Sequence, residues 1–316
     1  MKKYIPLSAS VLRELREEYH HIKNEVAIRP DTYVVNTENS VGDLLFESKN
    51  VYMGFDSIHV QDSRYIYDAI DLKDSMDVYH VGWAQLMYEC HAISNGYNCR
   101  FCHFTYDNTN ATYCDATQNC QDVFGCAGLV RKKYCILNKQ YTKEEYEALV
   151  PRIIAHMKSF GEFGEFFPIQ FSPFAYNQSR VQEYYPLTKE KAEAQNYRWS
   201  DFKPAPPLTN RQSLASELPE YSGDVSDDIL NSAILCEITG RPFAVIAPEL
   251  NFYKKNGLPL PRRHPDQRYL DRIAARAPRS LWKRPCMKCE KETWTSHEPR
   301  SLAKMYCRTC YLETVY

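Results

Sequence analysis

Glycine is scarce in this chain, with 11 copies in 316 residues. No Gly-rich phosphate loop, nucleophile elbow or H-E-x-x-H helix stands in the sequence, so the common signatures of nucleotide, acyl-transfer and metalloprotease chemistry are missing. No stretch approaches eighteen consecutive apolar residues, which excludes a membrane-spanning helix. The start, MKKYIPLSASVLRELREEYHH, has two lysines but no continuous apolar core and no small-residue cleavage site, so it does not read as a signal peptide. The expected compartment is the reducing cytosol, where twelve cysteines serve as thiols or metal ligands rather than disulfides.

An excess of charge is also missing, since the formal net charge is −1. That sum hides a division. From Arg241 to Arg308 there are 16 Lys and Arg against 6 Asp and Glu, which leaves 23 basic and 34 acidic residues elsewhere (39 − 16 and 40 − 6). A basic segment on an acidic body points to a polyanionic partner, to pairing between copies, or simply to a solvated surface.

Tyrosine is abundant, with 24 copies, and the apolar and charged fractions are those of a folded chain. Residues 8 to 24 read as an amphipathic helix, with Val11, Leu12, Leu15, Tyr19 and Ile22 on one face and Ser8 or Ser10 as its cap. From about residue 32, short runs rich in Val, Ile and Tyr are broken by Asn, Asp and Ser, the pattern of strands and turns. These runs recur. Tyr67, Tyr88, Tyr113 and Tyr134 stand 21, 25 and 21 residues apart, and Tyr52, Tyr79, Phe101 and Phe124 stand 27, 22 and 23 apart. Two interleaved series with a period near twenty-two predict a parallel β-solenoid whose inward ladders hold compact apolar groups, cysteine among them. Outward positions such as Asp68, Glu89 and Asp115 are polar. On that reading the dense cysteines of NCRFCHFTYDNTNATYCDATQNCQDVFGC, residues 98 to 126, are rungs of the solenoid and not a metal cluster.

The predicted architecture is mixed α and β: a right-handed parallel β-helix-like solenoid with helical caps, then a small zinc-ribbon or treble-clef tail. Its parts are an N-terminal capping helix (1–31), the solenoid (32–140), and a helical cap with an aromatic packing segment (141–202). A linker (203–228), a metal-free zinc-ribbon-like module with a basic helix (229–280) and a zinc ribbon (281–316) follow. In the third part, Thr142 and Glu145 form a capping-box pattern, Pro151 predicts a kink, and short helices are expected around 174 to 184 and 189 to 196.

The tail carries the strongest chemical signal. Cys286-x2-Cys289, seventeen residues and Cys307-x2-Cys310 make two thiolate knuckles that are expected to complete a closed tetrahedral site for one structural zinc ion, with iron, or core or redox cysteines, as the competing readings. Upstream, CEITGRPF and PLPRRHPDQR have the outline of a second such module. Cys236 is present, but Thr239, His264 and Gln267 occupy the other three positions, and Thr and Gln are poor zinc ligands. That module is expected to be metal-free and held by Phe243, Val245, Ile246, Leu250, Phe252, Tyr253, Leu258 and Leu260. After Pro265 a helix is expected to about Ala277, with Arg268, Arg272 and Arg276 on one face and Arg279 following. With Arg262, Arg263, Lys283 and Arg284 they form a candidate phosphate-binding set, and Trp282, Tyr269 and Trp294 are available for stacking. Local pairing with Asp266 and Asp271 is the competing reading.

Taken together, NCQDVFGCAGLVRKKYCILNKQYTKEEYEALVP, EFFPIQFSPFAYN, EYYPLTKEKA and the tail from CEITGRPF to YCRTCYLETVY resemble a large, uncharacterised family of cysteine-rich repeat proteins with zinc-ribbon modules, abundant in small-genome candidate-phylum bacteria. The resemblance spans most of residues 98 to 316 and implies a fold and a zinc ion, but no activity. Many relatives have four cysteines in the first module; this chain departs from them at Thr239, His264 and Gln267. The functional expectation is a non-enzymatic binding protein that engages nucleic acid or a ribonucleoprotein through the basic tail, with no membrane association. Two alternatives stand beside it. One is a transferase or glycan-active enzyme with a site on the solenoid face, needing His80, His103 and Asp107 to converge. The other is a self-associating scaffold.

Overall fold

The computed structural model describes residues 7–209 and 211–315. The first few residues of the predicted capping helix, and the final Tyr316 of the predicted zinc ribbon, lie outside that range. Contacts divide the chain into two compact units. One comprises Pro30–Phe174, Arg279–Pro299 and Met305–Tyr316; the other comprises the described residues up to Arg29, Ala175–Pro278 and Arg300–Lys304.

Helix α1 (Ala9–His21) is capped by Ser8, whose hydroxyl accepts from the Val11 amide at 3.1 Å. Its start is tied into its own unit: Ala9 N–H donates to Glu220 O at 3.0 Å, Ser10 N–H to the Glu220 carboxylate at 2.8 Å, and Leu7 N–H to Gly257 O at 2.8 Å. Strand β1 (Ile28–Pro30) follows.

The solenoid is built from β2 (Val34–Val35), β3 (Val41–Phe46), β4 (Lys49–Lys73), β5 (Met76–Gln85), β6 (Tyr88–Ser94), β7 (Arg100–Tyr106), β8 (Thr109–Thr112), β9 (Gln121–Phe124), β10 (Lys133–Ile136) and β11 (Lys139–Gln140). These form one ten-stranded ladder in sequence order, parallel until its last pair. The register is twelve residues: Ile66 faces Val78, Val78 faces Cys90 and Cys90 faces Cys102. The coil is therefore half the length that the aromatic spacing suggested. Tyr67, Tyr79, His91 and His103 lie in one column at successive coils, whereas Tyr88 and Tyr113 sit in other columns. Intervals of 21 to 27 approximate two coils. Strand β4, 25 residues long, runs round the solenoid twice.

A finer period of three generates the coil. Every third residue from Leu44 to Leu137 has positive φ, near +50 to +65°, so the chain turns a corner each time. A β-carbon resists that conformation by roughly 1–2 kcal/mol per residue, and Asn and Asp resist it least. Asp62, Asp68, Asp71, Asp74, Asp77, Asn95, Asn98, Asp107, Asn110, Asn119 and Asp122 accordingly occupy corners. The corners are made without glycine, apart from Gly125 and Gly128, which is why so few glycines suffice.

The residue after nearly every corner points inward, the exceptions being Lys132 and Asn138 near the last coil, which are exposed. The core contains Leu45, Val51, Val60, Ile66, Leu72, Val78, Met87 and Ile93, and at each such position the side chain must be small or slender. At Gly96 a β-carbon would meet Met87 Cε at 2.6 Å, so the interior has no room there. Seven cysteines, Cys90, Cys99, Cys102, Cys114, Cys120, Cys126 and Cys135, all occupy inward positions and all are buried. Corners leave carbonyl oxygens facing the core, and small donors satisfy them. Ser57 Oγ donates to Phe55 O at 2.7 Å and accepts from Ala69 N–H at 3.1 Å. Cys102 Sγ approaches Arg100 O at 3.2 Å and Ala111 O at 3.4 Å in the same role. Thus the reading of these cysteines as rungs holds, although their spacing follows the three-residue step.

At the C-terminal end β11 turns back antiparallel on β10, with Ile136 facing Lys139, and stops the ladder. Helix α2 (Lys143–Ser159) was expected to cap the end. It instead lies along a side, where Tyr146, Leu149, Val150, Ile153, Ile154 and Met157 cover Phe101, Tyr113, Phe124 and Ile136 from successive coils. Thr142 and Glu145 do form the capping box, at 2.9 and 3.2 Å.

In the other unit, α3 (Val181–Tyr184) and α4 (Lys189–Ala194) are short. The segment predicted as a linker is only partly one. Strand β12 (Gln212–Leu214) pairs in parallel with β13 (Ala233–Leu235), which pairs antiparallel with β14 (Pro242–Phe243). Ala215, Leu218, Val225 and Ile229 join Ile234, Phe243, Val245, Leu250 and Leu260 in one core. Helices α5 (Ala247–Asn256) and α6 (Pro265–Ala274) complete this module. Ile246 and Phe252, expected inside, are 64% and 55% exposed and are not part of its core.

The tail contains β15 (Trp282–Pro285), β16 (Glu292–Thr295), β17 (Lys304–Tyr306) and α7 (Arg308–Val315). Thr293 Oγ1 donates to the Asp31 carboxylate at 2.5 Å and Thr295 Oγ1 to Asp31 O at 2.6 Å, which fastens the β15–β16 hairpin to the start of the solenoid unit.

Candidate metal centre and the basic tail

The first knuckle is the turn of the β15–β16 hairpin. Cys286 N–H donates to Lys291 O and Glu290 N–H to Cys286 O, both at 2.9 Å, and Glu290 takes the left-handed conformation at φ 62°. The second knuckle lies where β17 runs into α7. Cys307 precedes the helix and Cys310 stands in its first turn, with Tyr311 N–H donating to Cys307 O at 2.8 Å.

These two turns bring Cys286, Cys289, Cys307 and Cys310 together, with all four sulfurs within 4.8 Å of one another. A tetrahedral ion at about 2.3 Å from each sulfur would set neighbouring sulfurs about 3.8 Å apart. Cys289 Sγ and Cys307 Sγ stand at 3.8 Å. Three of the thiols are buried and Cys289 is exposed.

Backbone amides also converge on sulfur: Cys307 N–H reaches Cys286 Sγ at 3.2 Å and Lys288 N–H reaches it at 3.4 Å. Burial opposes ionisation of Cys286, but these amides and that of Cys289 outweigh it and bring the thiol down to about 6. Cys310 is pushed up to about 12 by burial and by the other three thiols. Four crowded thiols cannot all ionise without a countercation at their centre. The residues fit a metal ion, and the four cysteines can hold one.

The upstream module repeats this arrangement with other side chains. Cys236 N–H donates to Arg241 O at 3.0 Å and Gly240 N–H to Cys236 O at 2.9 Å, as in the Cys286 turn, with Gly240 at φ 65° where Glu290 stands. His264 caps α6 where Cys307 precedes α7, and its amide bonds to Cys236 sulfur as Cys307's does to Cys286. Thr239 also bonds to that sulfur. Gln267 falls one turn into α6, and its amide donates to Asp271 at 2.8 Å. Cys236, Thr239, His264 and Gln267 therefore keep the backbone of a knuckle pair but only two side chains suited to a metal.

Most of the basic set is ion-paired within the chain. Arg262 pairs with Glu220 at 3.0 Å, Arg263 with Glu237 at 2.7 Å and Asp271 at 2.8 Å, and Arg268 with Glu249 at 3.5 Å. Arg276 lies 3.9 Å from Glu183, and Lys283 lies 4.0 Å from Glu292 and over the Trp294 ring. Arg276 is also beyond α6, which ends at Ala274, so the expected stripe is shorter than predicted. Arg272 sits over the Tyr269 ring, and Arg284 donates to the carbonyls of His297 and Glu298.

Arg279 is 7% exposed: it bonds Asp56 at 2.6 Å and lies over the rings of Tyr67 and Tyr79. It is a structural clamp between tail and solenoid, not a surface cation. Sequence reasoning missed Asp56 because its partner is 223 residues away.

The histidines proposed for an enzymatic face do not converge on one pocket. His80 pairs with Asp68 at 3.0 Å and His103 with Asp115 at 2.9 Å, in different columns of the solenoid. Asp107 marks another corner. His91 stacks between Tyr79 and His103, and burial, then the charges of His103 and His80, lowers it to about 4. No family model matches the chain, and neither does any curated protein.

Proposed function

We propose that the chain is a non-enzymatic binding protein in which one structural zinc ion locks a small C-terminal module onto the solenoid unit. The observation that carries this reading is the four-sulfur cluster, whose Cys289–Cys307 separation of 3.8 Å suits a closed tetrathiolate. With four protein ligands no position is left for water or substrate, so the metal holds structure. The knuckle-on-hairpin and knuckle-on-helix pair has the outline of a treble clef.

The partner class we infer is nucleic acid or a ribonucleoprotein, supported by the 16 basic against 6 acidic residues between Arg241 and Arg308. Six of the eight candidate cations are within ion-pair range of a carboxylate. Phosphate must compete with those carboxylates, which leaves Arg272 and Arg284 as the readiest contacts. Binding of labelled RNA and DNA across a salt series tests this. With two phosphates neutralised, log K should fall with log salt at a slope of about −2, and R272A/R284A should abolish the slope. Binding that is absent, or that does not depend on salt, contradicts it.

A further inference from the structure

Between the side of the last coils, α2 and the segment after it lies a cavity of about 610 Å³, within the usual range of small-ligand sites, about 300–1,000 Å³. Its walls are aromatic and aliphatic, with Tyr113, Phe124, Phe166 and Phe167 among them. Tyr113 fixes one wall: its hydroxyl donates to Glu162 O at 3.3 Å and accepts from Gly164 N–H at 3.0 Å, and its ring meets Phe124 and Phe167 edge-on at 5.8 and 5.9 Å.

The charged groups lining the cavity are Glu162 and Glu165. Neither has an ion pair among the described residues, although most acids of the basic tail's surroundings do. Asp77 and Glu89, in the same solenoid column as Tyr113, add to the negative field, and Glu165 acts on Glu89 and Tyr113 alike. Lys158, next in sequence to the lining Met157, is engaged over the Phe163 ring at 5.3 Å.

An anion would be repelled here, and a neutral apolar ligand would leave both carboxylates unused. A cation flanked by ring faces and carboxylates satisfies both. We propose that this cavity binds a small organic cation, an apolar body carrying one ammonium group.

The test uses the full metal-loaded chain and two probes, (3-phenylpropyl)trimethylammonium and its neutral isostere in which a tert-butyl group replaces the trimethylammonium, each titrated by NMR. The cation should bind about tenfold more tightly than the isostere, a margin within reach of one cation–ring and carboxylate contact set. E162Q/E165Q should bring the cation down to the level of the isostere, and Phe167→Ala should weaken both. Equal affinities for the two probes on the unmodified protein, or a cation affinity untouched by E162Q/E165Q, would overturn the proposal. The first comparison needs no variant, so a folding defect in either mutant leaves the test intact.

Discussion

Cys102 and Cys286 are both buried thiols, and their surroundings separate them. Cys102 touches two backbone carbonyls and its column neighbours, and burial holds it neutral. Cys99, in the next column, is likewise pushed up to about 12 by burial, so neither thiol is primed for redox chemistry. Cys102→Ser should therefore keep the carbonyl contacts, as Ser57 does, cost about 1 kcal/mol and leave the metal content unchanged. Cys286→Ser should lose the metal, as elemental analysis of the two purified variants would show. His91 supplies a second residue-level prediction. Its folded value of about 4 lies below the ordinary 6.5, so its contribution is present in full above about pH 6.5 and lost as pH falls toward 4. His59 is raised by hydrogen bonds to Glu47 and Asp71 and acts oppositely, stabilising below its unfolded value and fading as pH rises through its folded one. Denaturant unfolding at pH 7 and pH 5 should show His91→Gln losing less stability on acidification than the unmodified chain, by on the order of 1–2 kcal/mol.

At the scale of elements, much of the fold was legible, though at the wrong period. Parallel coils, inward cysteines and the capping box at Thr142 follow from the sequence, and Thr142→Ala should cost about 1 kcal/mol in thermal or denaturant unfolding. The coil length did not follow, because large aromatics recur every second coil in shifting columns while the three-residue step is carried by small Asp and Asn residues. The stretch DSRYIYDAIDLKDSMD shows that step directly in Asp62, Asp68, Asp71, Asp74 and Asp77. The linker was misjudged for a related reason. Its prolines, serines and acids obscure four well-spaced apolar residues, Ala215, Leu218, Val225 and Ile229, that enter the module core. The two Cys-x2-Cys knuckles were legible because their spacing is fixed by local turns. Since the upstream module retains those turns, T239C/Q267C should create a Cys3His site with Cys236 and His264. Metal analysis should then rise from one ion per chain to two; an unchanged ratio would show that the relic geometry has closed.

Across the whole molecule, contacts distant in sequence decide the grouping, and these had no local signal. Arg279 on Asp56, Thr293 on Asp31 and the Glu220 bonds to α1 join segments more than 200 residues apart. Charge complementarity between an acidic body and a basic tail is in part met within the chain by ion pairs such as Arg279 with Asp56, Arg262 with Glu220 and Lys254 with Asp227, which leaves less of it for association between copies. Removing the metal should loosen residues 282 to 315 in hydrogen exchange while β4 to β7 stay protected, because the solenoid core contains no metal ligand. The most direct test of the account is X-ray absorption at the zinc edge on the purified full-length chain. The account predicts one zinc ion per chain with four sulfur neighbours at about 2.3 Å. A chain without zinc, or zinc surrounded by nitrogen and oxygen, would contradict it.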